Sequence, residues 1–110
     1  MKRFSSLFVV LPLALCLNVA KAADEGFVLT LKDHQFTPST LEIPAGQKVK
    51  LTIKNQDKTA EEFESSDLHR EKVIPAGKDG VVNIGPLKPG TYSFKGEYNP
   101  KTATGTIVVK

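Results

Sequence analysis

Two loops hold most of the residues able to bind or transfer anything. The stretch Asn55-Gln56-Asp57-Lys58-Thr59-Ala60-Glu61-Glu62-Phe63-Glu64-Ser65 gathers three carboxylates around one aromatic, and Gly96-Glu97-Tyr98-Asn99-Pro100 answers it near the other end of the chain. Between them lies a charged segment, Asp67-Leu68-His69-Arg70-Glu71-Lys72. Carboxylates with an imidazole suit a harder ion such as iron or manganese better than cuprous copper. Glu61, His69 and Glu97 are therefore the candidates for direct metal ligation, with Glu62, Glu64, Asp67 and Asn99 as outer candidates. A structural reading competes with this one. The rigid fork of Arg70 can bind two carboxylate oxygens at once, which would bridge Glu61 or Glu97 and fill the space of a cation. His34, after Asp33 in a turn, reads as a hydrogen-bonded loop residue.

Nothing in the chain points to catalysis. No serine stands with histidine and carboxylate at a recognisable spacing, and no glycine-rich phosphate loop is present. The expectation is a binding protein rather than an enzyme.

The N-terminus has the marks of a leader. Lys2 and Arg3 precede an apolar run from Leu7 to Leu17, and Ala20-Lys21-Ala22 is a small-residue cleavage pattern. This predicts a signal peptide over residues 1–22, cleaved after Ala22, and a single domain over 23–110 exported to the periplasm. The apolar run is shorter than the ~20 residues of a membrane span, so no span is expected after cleavage. The whole chain has 15 basic and 12 acidic residues. Lys2, Arg3 and Lys21 leave with the leader, and the balanced remainder gives no reason to expect nucleic acid as a partner. The single cysteine, Cys16, also lies in the leader, so no disulfide or thiolate ligand is expected in the domain.

The elements that must position these loops read as strands. Phe27, Leu29 and Leu31 alternate with Val28, Thr30 and Lys32, and Val49, Leu51 and Ile53 alternate with lysines and Thr52. The exposed lysines of Lys48 to Lys54 are of the kind that guards a sheet edge. Leu41 to Ile43 reads as a short edge segment, Val81 to Ile84 as a strand, Thr91 to Lys95 as a strand with Tyr92 and Phe94 on one face, and Thr104 to Val109 as the last. Ser66 or Asp67 is placed to cap a helical turn ending near Arg70. No longer amphipathic helix is present. The pattern predicts an all-β, antiparallel Greek-key β-sandwich of about seven or eight strands.

The order of Phe36-Thr37-Pro38, Leu41-Glu42-Ile43-Pro44-Ala45-Gly46, Asn55-Gln56-Asp57 and Tyr92-Ser93-Phe94 resembles the cupredoxin superfamily. A blue-copper site needs two imidazoles, a thiolate and a weak axial ligand. The resemblance places Glu61, Gly96 and Asn99 at the first histidine, the cysteine and the second histidine, with the axial methionine near Thr102 or Ala103. No blue-copper centre is therefore expected. Asp33-His34-Gln35-Phe36-Thr37-Pro38, Glu61-Glu62-Phe63-Glu64-Ser65 and Gly85-Pro86-Leu87-Lys88-Pro89-Gly90 further resemble EfeO-type cupredoxin-like domains. That likeness implies an accessory of metal uptake, most of all of iron, binding or relaying an iron or copper ion and working beside an iron permease or another periplasmic uptake component. The alternative is a metal-free sandwich that docks on such a partner.

Overall fold

The computed structural model describes residues 26–110, so the leader expected over residues 1–22 lies outside the described residues. Nine strands follow one another: β1 (Phe27–Lys32), β2 (Gln35–Thr37), β3 (Thr40–Ile43), β4 (Val49–Asn55), β5 (Glu61–Ser65), β6 (Arg70–Ile74), β7 (Asp79–Ile84), β8 (Gly90–Gly96) and β9 (Thr104–Val109). One sheet has the order β2-β1-β4-β7 and the other β3-β9-β8-β5-β6. Alternation explains why two sheets form. Strands such as β1, β4, β5 and β7 have one buried face each, and two such faces must cover each other to leave water.

Leu29 and Leu31 of β1, Leu51 and Ile53 of β4, Phe63 of β5, Ile74 of β6 and Ile107 of β9 are all buried within the sandwich. Phe36, Phe63 and Phe94, from β2, β5 and β8, lock the layers together. The Phe36 and Phe94 rings meet edge-on at 5.2 Å, and Phe63 stacks on Phe94 at the same distance. Burying each such ring is worth about 1.5–3 kcal/mol.

Several expectations are corrected by the fold. Both sheets are mixed rather than antiparallel, because β1 runs parallel to β4 and β3 parallel to β9. β4 is no edge strand: it lies between β1 and β7, so its lysines cover an outer face. The second half of the Asn55–Ser65 stretch is itself a strand, β5, with alternate residues buried. Residues 66–69 form a turn closed by the His69 amide donating to the Ser66 carbonyl at 3.2 Å. The chain then continues as strand β6, where a helical turn had been expected to run on to Arg70.

The first half of that stretch anchors its end of the sandwich. Asn55 is buried. Its side-chain amide donates to the carbonyls of Thr59 and Ile74, and its oxygen accepts the Asp57 amide. Asp57 in turn accepts from the backbone amides of Asp33 and His34, at 2.7 and 2.9 Å. Those two residues form the β1–β2 hairpin turn with φ of 54° and 58°, the pair of positive values that a two-residue type I′ turn demands. His34 is thus a hydrogen-bonded turn residue, with Nδ1 3.5 Å from Asp57.

Candidate functional site

Strand parity decides where each acidic side chain of β5 goes. Glu61 shares a face with Phe63 and Ser65 and points inward, while Glu62 and Glu64 point out. Glu61 is 1% exposed, although it carries a carboxylate. Its burial is tolerated because its oxygens are met by donors. The backbone amide of Tyr98 donates to Oε2 at 2.8 Å, the Asn99 side-chain amide to Oε1 at 2.7 Å, and the Glu62 amide to Oε2 at 3.1 Å. A buried carboxylate without such partners costs several kcal/mol.

The loop after β8 is built to present those donors. The Asn99 amide donates to the Gly96 carbonyl at 3.1 Å, and the Asn99 carbonyl accepts the Ala103 amide at 2.9 Å, so a tight turn holds Asn99 over Glu61. Gly96 must lack a side chain there. A Cβ would lie 2.6 Å from the Glu61 carboxyl carbon and 2.8 Å from the Ala103 methyl. Glu61, Gly96, Asn99 and Ala103 therefore converge on one small volume, and the Glu61 carboxylate lies in it.

The other candidates are elsewhere. Glu97 turns outward, about half exposed, with its carboxylate 3.5 Å from the Lys95 ammonium. It borders an open depression of about 340 Å³ lined also by Glu62, Glu64, Ser66, Glu71 and Lys95. Partial burial first, and then the Glu71, Glu97 and Glu64 carboxylates, hold Glu62 above the ordinary carboxylate range. Asp67 caps the neighbouring strand: the Ser93 backbone amide and then its hydroxyl donate to one oxygen and push the Asp67 carboxyl below its ordinary range. His69 is exposed at a φ of 57° in the β5–β6 turn. The structure thus brings Glu61 and Asn99 together, groups Glu62, Glu64 and Glu97, places His69 in an adjoining depression lined also by Glu64 and Glu71, and leaves Asp67 bonded to Ser93. Among the described residues, no three His, Cys, Asp or Glu side chains are grouped so as to hold a metal ion.

Arg70 does not bridge these carboxylates. Its Nε donates to the Asn83 carbonyl at 2.9 Å and its Nη1 to the His69 carbonyl at 3.0 Å. It fastens the open edge of β6 to β7 across the sandwich. Sequence reasoning missed Glu71, the outward neighbour of Glu64 at the register position across β5 and β6, because β6 was not read as a strand.

A small two-sheet sandwich with a tight loop closing over one pole defines a class, and the sequence match agrees. The chain belongs to the cupredoxin-like domain family, which matches residues 5–109. Among relatives, an uncharacterized protein of Rickettsia prowazekii (strain Madrid E) is 46% identical over 81 residues. These are 74% of this chain, and the chain spans only 65% of that protein's length. Among solved structures, amicyanin from Paracoccus versutus superposes with a TM-score of 0.63 at 12% identity, covering 83% of this chain and 87% of that one. An apo copper binding protein superposes with a TM-score of 0.67 at 19% identity, covering 77% and 89%. These likenesses establish the fold. The residues at the pole do not fit a blue-copper ion: they offer a carboxylate and an amide already bonded to each other, with no imidazole and no sulfur.

Proposed function

We propose that this protein is a non-enzymatic, exported accessory of metal uptake, most of all of iron, that works by docking on a permease or other uptake component rather than by carrying a metal at its pole. The observation behind this reading is the Glu61 carboxylate, 1% exposed and bonded to Tyr98 and Asn99. A cation entering there would have to displace donors from both oxygens and open a packed loop. Export and cleavage after Ala22 rest on the sequence of the leader, and the link to an iron permease rests on the resemblance to EfeO-type domains.

A second reading keeps a metal and moves it outward. Glu62, Glu64, Glu71 and Glu97 line one depression, where partial burial first and then the neighbouring carboxylates raise the Glu62 carboxyl; as placed they are not grouped so as to hold a metal ion, and an ion such as ferrous iron would have to draw them together. Amide NMR spectra recorded with added paramagnetic Mn(II) separate the two readings. Docking without a metal predicts no selective broadening. Broadening of Glu62, Glu71 and Glu97 signals favours the outer site, and broadening centred on Tyr98 and Asn99 contradicts a closed pole. The uptake role itself is tested by radioiron accumulation in cells lacking the gene. Unchanged accumulation would remove it.

A further inference from the structure

The two outer faces of the sandwich carry opposite charge. On the β2-β1-β4-β7 sheet the outward side chains include Lys32, Lys50 and Lys54, opposed only by Asp79. Register places Val28, Thr52 and Val81 in one row across this face, and the valines are 45% and 42% exposed. With strands ~4.8 Å apart, the row spans roughly 10 Å. On the opposite sheet the outward side chains include Glu42, Glu62, Glu64 and Glu71, with Glu97 just beyond β8, and Val73, 47% exposed, stands directly across from Glu62.

Neither face neutralises itself. Lys95 reaches Glu97 and Lys110 reaches Glu42, but among the described residues Lys32, Lys50 and Lys54 enter no ion pair. We infer that the lysine and valine face of one molecule docks on the glutamate and valine face of a second copy. Lysines of one copy meet carboxylates of the other, and the exposed valines meet toward the β6 edge of the acidic sheet. The Glu62, Glu64, Glu71 and Glu97 grouping, which among the described residues has only Lys95 to offset it within one chain, then gains further opposite charge.

Geometry sets the strength and the form of this contact. Three strands of six or seven residues and the three-residue β2 give a face of at most roughly 19 by 20 Å, ~400 Å², which is no more than about half the ~800 Å² per partner of a stable interface. The contact is weak and acts where local concentration is high. The two surfaces differ, so the association is heterologous and leads to open stacks rather than a closed dimer.

Sedimentation velocity of the folded protein over a concentration series tests this. At ~20 mM salt the weight-average mass rises continuously with concentration. At ~500 mM, where the screening length falls from roughly 20 Å to about 4 Å, the association weakens at least ~10-fold. Lys50→Glu with Lys54→Glu makes both faces acidic, and Glu62→Lys with Glu71→Lys makes both basic. Each double variant alone stays monomeric, and their equimolar mixture associates. All four changes are at exposed or half-buried outward positions, and circular dichroism checks that both variants fold. A wild-type protein that is monomeric at low salt, a mass that stops at a dimer, or a mixture that stays monomeric would overturn the inference.

Discussion

The Glu61 carboxylate takes the space that a side chain on Gly96 would need, and it is held by one backbone and one side-chain donor from a loop 37 and 38 residues away in the chain. Replacing it with alanine leaves a cavity and an unpaired Tyr98 amide. Glu61→Ala is expected to lose about 2–4 kcal/mol in urea unfolding, and a loss below ~0.5 kcal/mol would show that the loop does not depend on it. Two surface carboxylates, Asp67 and Glu62, are shifted in opposite directions. Asp67 is lowered by the Ser93 donors, so its contribution is present above the unfolded carboxyl pKa and is lost as pH falls through the folded one. Asp67→Ala should therefore destabilise at neutral pH and flatten the acid limb of the stability profile. Glu62 is raised by partial burial and by its acidic neighbours. Its charged form disfavours folding, and the stability it withholds returns as pH falls below its folded pKa. Glu62→Gln should stabilise at pH 7 and have no effect well below pH 4, and a constant difference across pH would contradict this. At this scale the inward direction of Glu61 was legible from strand parity. Its bond to Asn99 was not, because a hydrogen bond across 38 residues leaves no local pattern.

The Asn55–Ser65 stretch is half turn anchor and half strand. Asp57 clamps the Asp33-His34 turn, whose two positive φ angles suit glycine better than aspartate or histidine. Asp57→Ala should cost about 1–3 kcal/mol and expose the Asp33 and His34 amides to hydrogen exchange, and unchanged exchange there would show that the turn holds without it. Strands with strong alternation, β1, β4 and β9, were legible to within a residue or so. β6 was not, since Arg70, Glu71, Lys72 and Val73 are all exposed and only Ile74 is buried. An edge strand with water on most sides has no alternation to read. β2 and the mixed pairing were hidden for a different reason. Three residues carry no period, and the choice of β1 to pair parallel with β4 depends on contacts far apart in sequence.

For the whole molecule, the all-β sandwich was accessible from the order of apolar runs and turns, because burial of two opposed faces admits few other arrangements, and the family from the resemblance of its motifs. The site was only partly accessible. Carboxylates were identified by type, but the fold sorts them into one buried inside the pole, a group on an outer face, and a strand cap. The pole is closed by a satisfied carboxylate. Calorimetric titration of the purified protein with Cu(II), Mn(II) and anaerobic Fe(II), repeated on Glu61→Ala, tests it most directly. No one-to-one binding that depends on Glu61 is the predicted result; stoichiometric binding that weakens at least tenfold, ~1.4 kcal/mol, in a folded Glu61→Ala variant would contradict it and place the metal where Glu61 stands.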